Sequence, residues 1–157
     1  KQNTYTSYTT TNNQNNSYCQ IYIMLSTSSK GGIDKDFESE WQSLVVKNYG
    51  VTEAPKMTDA TTENGWTAKA GVANFNFNNG TSMALLTTMS GYNKTVSIVA
   101  LTNSEDYMPK IQQFLESVEM KKQVTSNQII STNTNQSKNK PIVNSKYAFT
   151  TTNFDDG

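Results

Sequence analysis

The chain is 157 residues long, which suits one folded domain of ordinary size and leaves little room for a second. Only 17% of its residues are charged, all 13 basic residues are lysines, and the formal net charge is +0. We therefore expect no nucleic-acid partner, because the chain lacks both a basic field and the arginines that grip phosphates. Without histidine, a His-dependent triad or zinc site is excluded, and the single cysteine, Cys19, excludes a disulfide within this chain. No segment approaches the roughly 20 apolar residues of a membrane-spanning helix.

The first strand of the core is predicted where strict alternation begins. Residues 1–16 are polar, with Tyr5 and Tyr8 as their only large side chains, and favour an edge strand at most. From Ser17 onward two sets of side chains alternate, which assigns them to opposite faces of a strand. The first set is Cys19, Ile21, Ile23 and Leu25, and the second is Tyr18, Gln20, Tyr22 and Met24.

A helix is predicted next, over about residues 34–48. It follows a loop that ends at Gly32, Asp34 is the expected N-cap, and Gly50 ends the helix. One mostly apolar stripe recurs at helical spacing: Phe37, Trp41, Leu44, Val45 and Asn48.

Three strands joined by tight turns predict an antiparallel meander. They cover residues 66–78, 81–90 and 94–102, with turns at Asn79-Gly80 and at residues 91–93. In the first of them, Trp66 and Phe75 would face opposite sides of the sheet. A bulge near Gly71 is expected to return them to one face.

A second helix is predicted over about residues 106–118, with Asp106 as its cap and Pro109 in its first turn. Its apolar positions are Ile111, Phe114, Leu115 and Val118. Residues 121–146 contain five lysines, no acid and fifteen Asn, Gln, Ser or Thr, a composition typical of a disordered linker with a reach of about 28 Å. Residues 147–157 again resemble a strand, which either completes this sheet or opens a further domain, and we favour the second.

No sequence motif predicts a catalytic, cofactor-binding or metal-binding residue. Asp34, Asp36, Glu38 and Glu40 imitate the start of a calcium loop, but Ser39 stands in place of its glycine and Val45 in place of its bidentate glutamate. These acids are better explained by the dipole of a helix first turn. The loop at residues 29–32 lacks the order of a phosphate-binding loop. Cys19 is expected to be a small buried apolar residue.

Two residue sets remain as weaker candidates. An enzyme that uses carboxylates alone would need two of them in one pocket, and among the acids outside the helix first turns those to examine for this role are Glu63, Glu116 and Glu119. Tyrosines offer stacking surfaces for sugars or peptides, although scattered tyrosines on a sheet more often pack its core. They are Tyr5, Tyr8, Tyr18, Tyr22, Tyr49, Tyr92 and Tyr107.

Several segments together resemble a group of uncharacterised secreted multi-domain proteins of Gram-negative bacteria. They are residues 18–21 (YCQI), 36–41 (DFESEW), 65–68 (GWTA), 86–91 (LTTMSG), 106–107 (DY) and 114–118 (FLESV). Their order is similar to that of the PsbP-like, or Ran-binding-protein-like, superfamily of α/β/α sandwiches, and the resemblance covers residues 17–120. The segment 147–157 looks like the start of the next domain in such proteins.

The resemblance implies a binding or adaptor module, because superfamily members include photosystem extrinsic subunits, a Ran-binding protein and secretion chaperones. We expect a non-enzymatic extracytoplasmic module with a protein or peptide partner and no cofactor. The alternative is a chaperone-like domain that shelters an apolar segment of its partner. Such a domain would expose one contiguous apolar patch.

Overall fold

The computed structural model describes residues 5–124, and the predicted linker beyond that point and the strand-like segment 147–157 lie outside the described residues. Eight strands form one sheet in which every pairing is antiparallel. They are β1 (Tyr5–Asn12), β2 (Ser17–Met24), β3 (Thr27–Ser28), β4 (Lys56–Met57), β5 (Thr61–Glu63), β6 (Trp66–Phe77), β7 (Gly80–Gly91) and β8 (Lys94–Thr102). The order across the sheet is β1-β2-β8-β7-β6-β4, with β3 beside β8 and β5 beside β6. With two helices packed on this sheet, the predicted α+β class is confirmed.

The first helix runs over residues 33–49 in three consecutive segments: α-helical Ile33–Glu40, π-helical Trp41–Val46 and α-helical Lys47–Tyr49. The helix ends at Gly50, as predicted, and the φ of 66° at this residue is a left-handed value that glycine adopts readily. The prediction of Asp34 as N-cap is wrong. Gly32 occupies that position without a side-chain cap, and Asp34 lies inside the first turn, where its carboxylate pairs with the Lys69 ammonium at 2.6 Å.

The second helix consists of a 3-10 turn, Glu105–Tyr107, and an α-helix, Met108–Glu116. Its cap is Ser104, whose hydroxyl accepts a hydrogen bond from the backbone N–H of Asp106, so the prediction of Asp106 as the cap is off by two residues. Pro109 lies in the first turn of the α-helix, where its missing N–H costs no hydrogen bond.

The two helices pack on opposite faces of the sheet, as strand alternation requires. Along β8, Val99 and Leu101 point toward the first helix, and Ile98 and Ala100 toward the second. The first-helix face buries Phe37, Trp41, Val45, Val51, Ala73, Phe75, Ala84, Leu86, Val99 and Leu101. The second-helix face buries Cys19, Trp66, Met89, Ile98, Ala100 and Ile111. The result is a three-layer α/β/α arrangement.

The predicted bulge at Gly71 is absent. β6 pairs with β7 in unbroken register from Thr67 opposite Ser90 to Phe77 opposite Gly80. Trp66 and Phe75 therefore face opposite sides, which is favourable because a helix covers each face. Gly71 is required for another reason: a Cβ there would lie 2.8 Å from Cζ of Phe37, so the ring packs directly on the strand backbone.

Three hairpin loops have two residues each, and both residues have positive φ, as type I′ turns require. The loops are Asn64-Gly65, Asn78-Asn79 and Tyr92-Asn93. The β6–β7 turn thus lies one residue earlier than the predicted Asn79-Gly80. Asparagine tolerates the left-handed conformation, so Asn79 occupies the second turn position, where a glycine was expected.

Candidate interaction site

β1 forms one edge of the sheet and leaves the other side of its backbone unpaired within the described residues. It pairs with β2 over its whole length, from Tyr5 opposite Met24 to Asn12 opposite Ser17. All eight of its residues are exposed. The strand carries no charge, proline or bulge, the features by which edge strands usually avoid pairing with another chain. We call this unpaired side of β1 the open edge.

The opposite edge is built differently, and we call it the covered edge. The short strands β4 and β5 lie along β6 there, and between them Thr58 exchanges hydrogen bonds with Ala70, of which Thr58 N–H to Ala70 C=O is 2.9 Å. Lys56 and Glu63 place charges on these strands. Pro55 and Met57 pack against Gly71 beside the Phe37 ring. Short length, charge and proline all discourage a further strand from adding at this edge.

Aromatic side chains accompany the open edge on the first-helix face. Tyr5 of β1 meets Tyr22 of β2 edge to face, with ring centroids 5.3 Å apart. Further into the sheet, Tyr49 contacts Phe75 at 5.3 Å. Burial raises the pKa of the Tyr22 phenol, and the neighbouring tyrosines raise it further; the Tyr49 phenol is shifted upward in the same way. These two phenols therefore stay neutral in the physiological range. We call the contacting rings on this face the aromatic cluster, which consists of Tyr5, Tyr18, Tyr22, Tyr49, Phe75 and Phe77.

The outer members of this cluster are available to a partner. Tyr5 is 46% exposed and Phe77 is 51% exposed, and Phe77 meets Tyr18 edge to face at 6.3 Å. The hydroxyl of Tyr18 donates to Ser82 Oγ at 2.9 Å, which fixes that ring. On the second-helix face, Tyr8 of β1 lies against Phe114, with centroids 6.4 Å apart, and is 43% exposed. These tyrosines thus pack against other rings of the domain, and Tyr5 and Tyr8 also remain partly exposed, whereas stacking on a sugar or peptide stays a prediction.

Asp36 carries a fully buried carboxylate, and no sequence pattern singled it out from its acidic neighbours. It is 0% exposed in the first turn of the first helix. Its carboxylate accepts hydrogen bonds from the hydroxyls of Ser90 (2.5 Å), Ser29 (2.7 Å) and Thr95 (2.8 Å) and from the backbone N–H of Lys30. Burial opposes the charged form, but the four donors outweigh it and lower the pKa of Asp36 below its usual value.

Asp36 is placed to hold structure together rather than to act on a substrate. Its donors come from the loop after β3 and from the ends of β7 and β8, so one carboxylate joins three segments to the first helix. Ser29 also accepts hydrogen bonds from the N–H groups of Gly31 and Gly32. The loop at residues 29–32, whose sequence lacks the order of a phosphate-binding loop, is therefore folded around the carboxylate.

The remaining predicted candidates do not converge. Glu63 lies exposed in β5, Glu116 accepts a hydrogen bond from Gln112 on the second helix, and Glu119 is exposed beyond that helix. Cys19 is 6% exposed, and burial raises the pKa of its thiol against a smaller opposing effect of Lys110, as expected for an unreactive buried cysteine. Among residues 5–124, no group of three His, Cys, Asp or Glu side chains is arranged to hold a metal.

Two depressions are visible on the described part of the surface. The larger, about 630 Å³, is formed by one hairpin alone, residues 76–81. The smaller, about 220 Å³, includes Lys56 and two acids that are not among those suggested by the sequence for carboxylate catalysis, Glu53 and Glu105. Both acids are exposed, so this depression lacks the water-excluding surroundings that carboxylate catalysis uses.

No protein-family model matches the chain, and no curated protein is similar to it. None of the helices within residues 5–124 has the length and apolar character needed to cross a bilayer.

Proposed function

We propose that the protein is a non-enzymatic binding module that takes up an extended segment of a partner protein at the open edge. The observation that carries the proposal is the uncharged, eight-residue strand β1, which within residues 5–124 is exposed at every residue and paired on one side only. Strand addition at such an edge gains affinity from backbone hydrogen bonds and specificity from neighbouring side chains. Tyr5 and Tyr8 supply those side chains, one on each face of the strand.

The resemblance of residues 17–120 to the PsbP-like superfamily supports a binding role and an extracytoplasmic location for the module. The chaperone-like alternative has less support from the surface. Large exposed apolar side chains of the described residues belong to different faces and edges instead of one patch. They are Tyr5, Tyr8, Leu25, Met57, Phe77 and Val124.

Proline substitution at two successive positions of β1 tests the proposal. Successive backbone N–H groups point to opposite sides of a strand, so of Thr9 and Thr10 one donates toward β2 and the other toward the open edge. The first step is to select binders from a displayed library of random extended peptides. We expect one of T9P and T10P to remain as stable as the wild type and lose these peptides, because proline removes the outward donor and blocks the edge.

The other proline variant is the matched control, since it breaks a hydrogen bond to β2 and should lower the unfolding midpoint. Circular dichroism melts and peptide binding by fluorescence anisotropy separate the two effects. Retention of peptide binding in both variants, when both are folded, would place the binding surface elsewhere and refute the proposal.

A further inference from the structure

We infer that the partner at the open edge is a second copy of this chain, whose own β1 pairs antiparallel with β1 of the first. The inference rests on the proposed function and specifies its partner. Dimerisation of this kind would join the two sheets into one continuous sheet across a twofold axis.

Charge is the first argument. In a twofold antiparallel pair, each side chain of β1 meets a side chain of the same strand in the other copy, so a charge near the axis would lie close to its symmetry-related copy. The eight residues of β1 contain no charge, and the Tyr22 and Tyr49 phenols beside them are neutral. Self-pairing therefore brings no like charges together at this edge. The covered edge, by contrast, carries Lys56 and Glu63.

Symmetry then limits the register. Two antiparallel copies of one strand are related by an axis perpendicular to the sheet, which keeps the first-helix faces of both copies on the same side. Directly opposite residues must share a face, so their numbers are both odd or both even. The two registers that pair the most residues of β1 are centred on Tyr8 opposite Tyr8 and on Thr9 opposite Thr9.

Both registers bring compatible side chains of β1 opposite each other. The Tyr8-centred register brings two Tyr8 rings together, each already backed by Phe114 of its own copy at 6.4 Å. It also pairs Ser7 with Thr9 and Thr6 with Thr10. The Thr9-centred register pairs Thr9 with itself and Tyr8 with Thr10. Hydroxyl pairs and aromatic pairs of this type stabilise antiparallel strands.

The mass of the full chain in solution is the primary test. Sedimentation equilibrium of the wild type is expected to show twice the 17.5 kDa mass of one chain at high concentration, with dissociation on dilution. The substitution T9K places a charge on the axis of the Thr9-centred register and one residue from the axis of the Tyr8-centred register, so in either case it should raise the dimer dissociation constant at least about tenfold. The matched control, T61K, adds the same charge to exposed β5 at the covered edge and should leave dimerisation unchanged.

Cysteine crosslinking gives the register. Y8C and T9C each place a thiol on the axis of one register, and oxidation should join one of them, or both, into a covalent dimer. Wild-type protein is the control, because Cys19 is buried. Faster crosslinking of T6C or N12C than of both central variants would contradict these registers and overturn the inference.

The outcomes separate this inference from the proposed function. A wild type that stays monomeric to about 1 mM, while one proline variant still abolishes peptide binding, overturns the second-copy partner and leaves strand addition standing. Slow hydrogen exchange at the outward amides of that monomer would show that the edge is occupied within one chain and would overturn both. A dimer insensitive to T9K that forms no crosslink at residue 8 or 9 would use another surface, which also overturns the inference.

Discussion

At one edge of the sheet, β1 extends over eight exposed and uncharged residues, whereas at the other edge β4 and β5 contribute two and three residues and carry Lys56 and Glu63. The covered edge lies under the start of the first helix, where Phe37 packs on Gly71 and Asp34 pairs with Lys69. At the open edge, Tyr8 meets the Phe114 ring of the second helix, and Tyr5 meets the Tyr22 ring on the first-helix face.

This difference separates two roles within one sheet. Strands under the first helix are fixed by buried contacts, so their substitution should change the stability of the fold. Residues of β1 make few buried contacts, so their substitution should change the local order of the strand and its association with a partner.

The largest effect is expected at Asp36, the carboxylate that clamps the helix start to β7 and β8. D36N keeps the side-chain shape but removes the charge and one acceptor oxygen, so either the Lys30 N–H at Oδ1 or the three hydroxyls at Oδ2 lose their acceptor. We expect a loss of about 2 to 3 kcal/mol in the free energy of unfolding, because hydrogen bonds to a buried charged group are among the stronger ones. Urea titration at neutral pH measures this free energy. A loss within error of zero would show that Asp36 does not stabilise the packing of the first helix on β7 and β8.

The pH dependence gives an independent control on the same residue. The folded pKa of Asp36 is lowered, so the folded state binds fewer protons than the unfolded state, in which an aspartate titrates at about 3.9. The contribution to stability is therefore present above about pH 3.9 and is lost as the pH falls through the folded pKa. The stability difference between the wild type and D36N should shrink over that range. A difference that stays constant down to acid-induced unfolding would contradict the lowered pKa.

Gly71 should have the next largest effect. In G71A the new methyl group would lie 2.8 Å from Phe37 Cζ and 3.0 Å from Met57 Sδ, so the ring or β4 must move. Overpacking of this kind costs about 1 to 3 kcal/mol, and hydrogen exchange in β4 should accelerate. G80A is the matched control, because its methyl group would meet only the Phe77 carbonyl oxygen at an ordinary 3.6 Å. Equal unfolding midpoints for G71A and G80A would show that the start of the first helix does not pack tightly on the covered edge.

Local periodicity accounts for what the sequence predicted well. The alternation at residues 18–24 determines both faces of β2, and the helical spacing of Phe37, Trp41 and Val45 gives the buried stripe of the first helix. Each of these patterns is complete within a short segment. The antiparallel meander is likewise marked by turn residues that lie next to its strands.

Features that depend on distant parts of the chain were not predicted. Asp36 is bonded by Ser90 and Thr95, which lie 54 and 59 residues away. One sequence signal could have indicated the Asp36 site. In β7 and β8, hydroxyl side chains occupy inward positions next to Leu86 and Val99, and buried hydroxyls require a polar partner. The bulge at Gly71 was wrongly expected because a single strand pattern does not reveal that helices cover both faces.

On the open edge, Y8A should have a modest effect. It removes the contact with Phe114 and little buried area, since Tyr8 is 43% exposed, so we expect about 1 kcal/mol or less. Hydrogen exchange in β1 should increase more than exchange in β7. T10A, on the same face of β1, is the control and should change neither. A cooperative loss of stability as large as that of G71A would mean that β1 is part of the core after all.

The smallest effect is expected from the ion pair of the covered edge. Asp34 and Lys69 approach to 2.6 Å, but the Asp34 side chain is 80% exposed, so solvent and salt screen the pair. D34N should cost about 0 to 1 kcal/mol, and less at high salt, as measured by urea titration in low and high sodium chloride. A large, salt-sensitive loss would show that charge fixes this edge. A small one would leave the packing of Phe37 on Gly71 as the physical difference between the edge that is closed and the edge that is open.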